Sequence, residues 1–573
     1  MQQTHIQRRT GLVLTTLTIL VFLATRLSAN TAFEDFPSWE SSEQDRYASG
    51  IALADINNDG FLDVIVANGS DTRKQHLCVY YNDGAGMPQT TAGWQSADSA
   101  YHGNLAVGDV NGDGLPDVAV SVLFNNEPYV DSGYVKLYLN RGGELEANPS
   151  WRSADMFNSY SCAFGDPDGD GDLDLTAMAG EVVTNRRDRS RIYYNEDGEL
   201  NTSPGWQHEL YYLGGDAVWA DFDRDGRLAP AMTYQYEPNR IFPNAGYEIG
   251  PRDKWFSQDR AFYGRDITTV DADGDGWIDL LVANGGYNGG VGYIKLYRNE
   301  RNAGMGRTPA WQSDYLGVNT GVRCADLNLD GSTDIVATAW NRGLMIWRRT
   351  DEGYSAQPNW ESRAPAISEG LALGDLDNSA LITENLVFNL DKSGRNVFTL
   401  DLPFRRVVSA SNFDLVLGPK HFCFQGDQGW FSVSNAFTSG ELHVTIERSS
   451  EPDVAVANWD ADRGNYIYFF NAGLVDVPEK RSTKPALDIF PQPAADRLYL
   501  ADARYGSQGL SMVVDGIEVL DALGRRFFCE EYAHGTTIQS VGELDVAAWP
   551  AGVYYLQVRS GEAVEQRTVV IAR

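Results

Sequence analysis

Cysteine, histidine and recognisable catalytic motifs are scarce in this sequence. Five cysteines are scattered over 573 residues, with no CxxC pair and no metal-site spacing, which argues against a disulfide framework and a cysteine-rich zinc site. The seven histidines are dispersed, and no GxSxG, HExxH, P-loop or dinucleotide-binding motif occurs. No catalytic residue can therefore be assigned from a motif.

Positive charge is also in short supply. The chain has 46 Lys and Arg against 79 Asp and Glu, a net charge of −33. Phosphates would be repelled, so no nucleic-acid partner is expected. The apolar content of 43% is too high for a disordered chain. The acidic excess indicates either solubility or divalent-cation sites, and the position of the carboxylates decides between them.

Long apolar runs are missing everywhere except near the start. Residues 1–32 combine a basic beginning at Arg8 and Arg9, the apolar stretch GLVLTTLTILVFLAT and small residues for cleavage after Ala29 or Ala32. This order is typical of a signal peptide. An uncleaved membrane anchor is the alternative, but the apolar run is shorter than the roughly 20 residues that a span needs. We expect cleavage, and no transmembrane span in the mature chain.

An Asp-rich segment of nine residues recurs seven times, at steps of 49 to 57 residues. A Trp precedes each copy by 15 or 16 residues. A period of this size indicates an array of supersecondary units. The copies are DINNDGFLD from Asp55, DVNGDGLPD from Asp109, DPDGDGDLD from Asp166, DFDRDGRLA from Asp221, DADGDGWID from Asp271, DLNLDGSTD from Asp326 and DLDNSALIT from Asp375.

Short apolar strands flank each copy, and a third, aromatic strand ends near an Asn in most repeats. Four short strands per unit of about 50 residues are typical of a propeller blade, and no unit has the apolar stripe of a helical solenoid. The sequence predicts an all-β protein with a seven-bladed β-propeller over residues 37–475. We predict that the strand of Trp39 completes the last blade and closes the ring.

This combination of loop, strands and Trp resembles the FG-GAP/VCBS repeats of integrin α-type propellers. The resemblance covers roughly residues 37 to 475 and is specific, because the loop, the flanking strands and the Trp recur together.

The Asp-rich loops have the form D-x-[DN]-x-D-G-x-x-D, with side-chain oxygens at positions 1, 3, 5 and 9 and Gly at position 6 for the turn. Oxygen ligands of this kind suit calcium. Metal-free Asp/Gly turns are the alternative, but several carboxylates on one tight loop would repel each other. We predict structural calcium at five complete loops, and a weaker fourth loop because position 9 is Ala229. The predicted ligands are Asp55, Asn57, Asp59 and Asp63; Asp109, Asn111, Asp113 and Asp117; Asp166, Asp168, Asp170 and Asp174; Asp271, Asp273, Asp275 and Asp279; and Asp326, Asn328, Asp330 and Asp334.

The seventh repeat is interrupted. Its second half resumes at DVAVAN from Asp453, so residues 380–451 form an insertion, predicted to be a small β subdomain on one face of the propeller. Asp453 then occupies position 9 of the broken loop. We predict that Asp375, Asp377 and Asp453 meet across the insertion.

A turn-rich linker, 476–484, precedes a final module of alternating strands, 485–573, predicted to be an immunoglobulin-like β-sandwich. Its ADRLYL, VLDALGRR and LDVAAWPAGVYYLQV segments resemble the type A sorting domain of the type IX (Por) secretion system. That resemblance implies recognition by the type IX machinery and delivery to the outer cell surface or the extracellular space. An ordinary accessory β-sandwich is the alternative.

Two functions remain open. The first is a non-catalytic, calcium-stabilised module that binds glycans or proteins through its loops and insertion. The second is an enzyme such as a polysaccharide lyase, which needs a Tyr/His/Arg cluster at one mouth of the ring. Candidate side chains are Tyr129, Tyr287, Tyr211 and Tyr212 for sugar stacking, and His102, His208 and His421 for a cleft, with packing as the alternative role of each.

Overall fold

The computed structural model describes residues 33–470, apart from short stretches, and the strands of the C-terminal module. The signal-peptide prediction, the linker, Tyr129 and Tyr287 lie outside the described residues. The undescribed stretches within 33–470 are 44, 126–131, 181–184, 260–263, 286–291, 302–303, 328–331, 380, 391–396, 401–403, 413–414, 435–439, 450 and 461.

The described part of the protein is all-β, as the sequence predicts, with a 3-10 turn at Pro419–His421. No described residue belongs to a helix long and apolar enough to cross a membrane.

The repeats form five four-stranded antiparallel sheets and one eight-stranded sheet that joins two further sets of four. We call the seven sets repeat sheets one to seven. The first strand of the chain, β1 (Trp39–Glu40), belongs to repeat sheet seven. Repeat sheets one to three contain β2 (Ala48–Ala54), β3 (Asp63–Asn68), β4 (Cys78–Tyr80) and β5 (Trp94–Gln95); β6 (Tyr101–Gly108), β7 (Asp117–Phe124), β8 (Ser132–Tyr138) and β9 (Trp151–Arg152); and β10 (Ser159–Gly165), β11 (Asp174–Ala179), β12 (Arg191–Tyr193) and β15 (Trp206–Gln207), with the hairpin β13 (Asn195–Glu196) and β14 (Glu199–Leu200) beside them.

The remaining repeat sheets follow the same plan. Repeat sheets six and seven are joined where β25 pairs with β28. Repeat sheets four to seven contain β16 (Leu213–Ala220), β17 (Ala229–Gln235), β18 (Arg240–Ile241) and β19 (Trp255–Phe256); β20 (Gly264–Val270), β21 (Asp279–Asn284), β22 (Ile294–Tyr297) and β23 (Trp311–Gln312); β24 (Asn319–Ala325), β25 (Asp334–Arg342), β26 (Met345–Trp347) and β27 (Trp360–Glu361); and β28 (Ala366–Gly374), β36 (Asp453–Asn458), β37 (Tyr466–Tyr468) and β1.

Each Trp of the repeat starts the fourth strand of the sheet before its own loop. In the same way Trp39 pairs with Ile467, so the predicted pairing of the N-terminal strand with the last repeat is confirmed. Trp39 is fully buried and donates its Nε1–H to Pro88 O at 2.8 Å. The first strand of each repeat sheet contacts the first strand of the next, and β28 contacts β2. The seven sets therefore follow one another in a closed circle.

An Asp four residues after the Trp links one repeat sheet to the next at three places in the chain. Tyr138 OH and Lys136 Nζ both donate to Asp98, at 2.5 and 2.7 Å. Asp155 with Tyr193 and Arg191, and Asp259 with Tyr297 and Lys295, repeat the arrangement. Because each Asp follows the fourth strand of one repeat sheet and each Tyr lies on the third strand of the next, this half-buried cluster ties neighbouring repeat sheets together.

The insertion lies between β28 and β36 and folds into two sheets of its own, in the orders β29-β35-β31-β32 and β30-β34-β33. Phe398, Phe431 and Leu442 lie in the apolar core that it contains. Its strands are β29 (Leu381–Leu390), β30 (Val397–Thr399), β31 (Arg406–Asn412), β32 (Leu415–Leu417), β33 (Phe422–Gln425), β34 (Trp430–Val433) and β35 (Gly440–Ser449).

The C-terminal module is also built of strands, arranged as β38-β39-β44, β40-β43 and β42-β41-β45-β46. Its strands are β38 (Leu487–Phe490), β39 (Arg497–Asp502), β40 (Met512–Val513), β41 (Gly516–Asp521), β42 (Arg526–Glu531), β43 (Thr537–Ile538), β44 (Gly542–Asp545), β45 (Gly552–Ser560) and β46 (Ala563–Ile571).

Candidate metal centres and axial recess

The Asp-rich loops join the first and second strands of the repeat sheets and share one geometry. In the first loop, Asp55 Oδ1 and Oδ2 accept the N–H groups of Asp59 and Gly60 at 3.0 and 2.9 Å, and Asn57 Oδ1 accepts the Asp59 N–H at 3.0 Å. The second and fifth loops repeat these bonds from Asp109 and Asp271. Hydrogen bonds from backbone N–H groups therefore hold the side chains at positions 1 and 3 against the loop.

The Asp at position 9 has a structural role in most loops. Asp63 Oδ2 accepts the N–H of Ile56 at position 2, and its Oδ1 accepts the N–H of Asn82 at the end of the third strand, at 3.0 and 2.8 Å. Asp117, Asp279 and Asp334 make the same pair of bonds. Burial raises the pKa of Asp63, Asp117 and Asp279 to about 7. These carboxylates lose hydration on folding, so a nearby cation would stabilise their charged form.

The third loop breaks this pattern, because position 2 is Pro167 and has no N–H. Asp174 is 0% exposed, and its Oδ2 has no hydrogen-bond partner. Burial and the charges of Asp168, Asp166 and Asp170 raise its pKa well above the usual range. A fully buried carboxylate oxygen without a donor, beside three further carboxylates, fits a bound cation.

Carboxylate oxygens approach within 4.8 Å of one another in four loops. Two of these groups contain predicted ligands, Asp166, Asp168 and Asp170 in the third loop and Asp271, Asp273 and Asp279 in the fifth. The fourth loop also brings three together, Asp221, Asp223 and Asp225, despite Ala229 at position 9. With carboxylate and amide oxygens as the ligands that the loops offer, they suit a hard cation such as calcium.

The other predicted ligands are placed differently. In the first loop, Asn57 Nδ2 donates to Asp59 Oδ2 at 2.9 Å. The side chains of these two predicted ligands therefore bond to each other. In the second loop, Asn111 Oδ1 accepts the Asp113 N–H at 2.9 Å. In the sixth loop, Asp326 and Asp334 are described, whereas Asn328 and Asp330 lie outside the described residues.

The broken seventh loop is rebuilt across the insertion. Asp375, Asp377 and Asp453 bring their oxygens within 4.8 Å of one another, so the predicted meeting is confirmed. Asp453 also makes the position-9 bonds, to the N–H groups of Leu376 and Phe470 at 2.8 and 2.7 Å.

The Asn that ends the third strand connects neighbouring loops. Asn140 Nδ2 donates to Ile56 O, in the loop of the preceding sheet, at 2.8 Å, and to Pro116 O, in its own loop, at 3.3 Å. Equivalent bonds are made by Asn82, Asn195, Asn244 and Asn299. Five of the seven pairs of neighbouring loops are therefore linked in this way.

The insertion covers the loop end of the circle of sheets. Gln425 Nε2 donates to Val107 O at 3.1 Å, and Gln428 Oε1 accepts the Trp219 N–H at 3.0 Å. Trp430 and Cys423 lie in one apolar core with repeat sheets two to four. Ser434 lies against Gly171, so the insertion also covers the third loop.

A recess of about 680 Å³ opens at the other end of the axis. In every repeat sheet the pairing of the first and second strands has a register shift near this end. The residue at the shift lies six positions before the first Asp of the loop, and six of these seven residues line the recess. These residues are Ser49, Gly103, Tyr160, Arg265, Thr320 and Glu369, with Gly215 as the seventh of the series.

Three of the histidines and tyrosines singled out in the sequence, His102, His208 and Tyr212, are buried and have packing roles. Burial lowers the pKa of His102 to about 3 and of His208 to about 4, so both are neutral. His421 is on the surface of the insertion, in its 3-10 turn. Of the two roles left open for Tyr212, the structure shows packing: it is 9% exposed, packs against His208 and accepts a bond from Arg240. Tyr211 is 54% exposed.

Comparison with known families agrees with these repeats. Residues 55–120 and 271–337 match the FG-GAP-like repeat, and residues 103–138 match the FG-GAP repeat. Residues 488–572 match the secretion system C-terminal sorting domain. The chain carries FG-GAP repeats and ends in a secretion sorting domain. The FG-GAP repeats imply a propeller-like fold, and the sorting domain indicates export to the cell surface or the extracellular space and recognition by the type IX machinery.

One relative among curated proteins is a T-cell immunomodulatory protein homolog of Plasmodium yoelii yoelii. It is 23% identical over 291 residues, which are 48% of this chain and 39% of the relative. The chain therefore spans about two fifths of the length of that protein.

Proposed function

We propose that the seven repeat sheets are the blades of one β-propeller over residues 37–475, with 380–451 inserted in the seventh blade. The circle of first-strand contacts and the pairing of β1 with β37 support this arrangement. We also propose that 476–484 is a linker and that 485–573 is an immunoglobulin-like β-sandwich.

The Asp-rich loops are proposed to hold structural calcium. The orphan Oδ2 of Asp174 and the four groups of three carboxylates support this assignment. The residues that would hold the ions are the predicted ligands of the complete loops, joined by Asp221, Asp223 and Asp225 and by Asp375, Asp377 and Asp453. Bound calcium would neutralise the carboxylates and fix the turn between the first two strands of each blade.

The exported propeller is proposed to be a non-catalytic binding module for a glycan or a protein. The observation that carries this proposal is the recess at one end of the axis, opposite the end that the insertion covers. A concave site on a rigid ring is a common place for ligand binding.

A polysaccharide lyase is the second candidate, and the contact between Arg265 and Tyr160 favours it. The guanidinium lies 5.9 Å from the Tyr160 ring, at the recess. However, burial raises the pKa of Tyr160 to about 12, and Arg265 is bound to Glu369. Tyr160 keeps its proton, and the charge of Arg265 is already paired. Both properties suit ligand binding better than the proton abstraction that a lyase needs.

A screen of the full mature chain on a glycan array, with a parallel lyase assay on uronate-containing polysaccharides, tests the proposal. Both are run with calcium and with a chelator. Saturable binding without cleavage is expected, and binding should weaken when chelation loosens the loops. Release of unsaturated sugar products would establish the lyase instead.

A further inference from the structure

At each register shift the first strand contains an extra residue. In six of the seven repeat sheets this residue lines the recess. An extra residue in one strand turns its side chain out of the regular alternation, which is why bulges often occur beside binding sites. Here the series contains an aromatic ring at Tyr160, a cation at Arg265, an anion at Glu369 and hydroxyls at Ser49 and Thr320. The recess therefore presents apolar and hydrogen-bonding groups from different sheets at one level.

Aromatic side chains form one wall of this recess. Trp340 and Trp459 lie parallel, at an interplanar angle of 3° with their ring centroids 6.1 Å apart. Tyr47 packs edge-on against Trp459 at 5.5 Å. This wall is preorganised, because Trp340 is also held by a bond from its Nε1–H to Glu369 Oε1 at 2.7 Å.

Tyr236 is a second aromatic group at the rim. Its backbone φ is +64°, in the left-handed region that a bulky residue rarely adopts, and its side chain is 38% exposed. Strained conformations of this kind cluster at binding and active sites.

The arginines of the recess are paired with carboxylates of the protein, and Asp71 adds a further carboxylate to the lining. Arg265 is paired with Glu369, and Arg323 Nη1 lies 2.7 Å from Asp266 Oδ2. Arg187 Nη1 lies 3.1 Å from Glu237 Oε1. A sulfate, phosphate or uronate group would have to compete with these carboxylates, and a cationic ligand with the arginines. An uncharged ligand avoids both conflicts.

We propose that the recess binds a neutral saccharide unit of a glycan. A sugar ring has C–H faces that pack on aromatic rings and hydroxyls that bond to paired charges and to Ser or Thr. The aromatic wall, Tyr236 and the Arg265–Glu369 pair supply these two kinds of contact. This inference rests on the proposed binding function and specifies its site and ligand class.

The test uses the full mature chain and an array of neutral, sulfated and uronate-containing oligosaccharides, with titration of any hit by tryptophan fluorescence. Binding to neutral oligosaccharides is expected, and Trp459→Ala and Tyr236→Ala should each weaken it about tenfold or more. Tyr315→Ala is the matched control, since Tyr315 is 57% exposed and does not line the recess. Circular dichroism and thermal unfolding verify that each variant is folded.

Three results would overturn the inference. Binding to charged oligosaccharides alone would refute the neutral class. Binding that survives Trp459→Ala and Tyr236→Ala in folded protein, but is lost in Tyr211→Ala, would refute the site. If the protein binds a protein ligand and no glycan, the saccharide class is refuted, but the proposed binding function is not. Cleavage of the array sugars would refute the proposed binding function itself.

Discussion

Pro167 changes the role of one buried carboxylate. In the first, second, fifth and sixth loops a backbone N–H at position 2 satisfies Oδ2 of the position-9 Asp, and in the third loop that donor is missing. If the cation is the missing partner, Asp174→Asn removes one ion per chain. For a site filled at 100 times its Kd, about 2.7 kcal/mol of unfolding free energy disappears with it.

Metal analysis after gel filtration and urea unfolding in calcium measure these two changes. Asp351→Asn, in an exposed turn, serves as the control. An unchanged ion count in Asp174→Asn would contradict the third-loop site.

The raised pKa values of Asp63, Asp117 and Asp279 predict an unusual pH dependence. Their folded pKa of about 7 exceeds the unfolded value, so the folded state binds more protons between about pH 4 and pH 7. The stability of calcium-free protein should therefore fall as pH rises through this range. Calcium favours the charged carboxylates and should remove the fall.

Thermal unfolding at pH 5 and pH 8, in EGTA and in calcium at matched ionic strength, checks this prediction. Equal pH dependence in the two conditions would contradict it, and Asp63→Asn should reduce the slope in EGTA.

Among the elements, the Asn at the end of the third strand joins adjacent sheets in five repeats. Asn140→Ala leaves the buried carbonyl groups of Ile56 and Pro116 without this donor. Each unsatisfied group costs about 1–3 kcal/mol, so we expect a loss of at least about 2 kcal/mol by urea unfolding. Asn201→Ala is the control, because Asn201 is exposed and bonds only within its own hairpin region. Equal effects of the two substitutions would contradict the link between sheets.

The insertion should control access to the third loop. Trp430 is fully buried beside repeat sheets two to four, and Ser434 covers Gly171. Radioactive calcium exchange is expected to show one slowly exchanging ion per chain. Trp430→Ala, which costs about 3–5 kcal/mol of packing, should accelerate that exchange. Uniform exchange of all ions in the unsubstituted protein would argue against this cover.

The sequence predicted local features better than distant ones. The spacing of the Asp residues and the constant distance from each Trp to its loop predicted the loops. Trp39 pairs as expected, because a periodic pattern assigns the same strand to each repeat. The recess could not be predicted, since Tyr160, Arg265 and Glu369 meet only after the sheets form a circle. Once the register shift is known, reading six positions back from each loop finds them. The position of the insertion over the axis depends on the contacts of Gln425 and Trp430. These residues lie outside the repeated pattern, so the pattern could not predict it.

At the scale of the whole molecule, stability should depend on β1. A chain that begins at residue 45 lacks Trp39, its bond to Pro88 and its edge-on contact with Tyr80. We expect a lower unfolding midpoint and rapid proteolysis near β37, relative to a chain that begins at residue 33. Equal midpoints would show that the circle does not need this strand.

The pairing of Trp39 with Ile467 also sets an order of events in time. These two residues are more than four hundred positions apart, so their contact has the longest sequence separation of any strand pair in the repeat sheets. Contacts of such separation form late, because the chain between them must first be ordered. The first residues of the propeller to be synthesised are therefore the last to be fixed. Until β37 has been synthesised, β1 has no partner strand, and its free edge must be kept from pairing with another molecule.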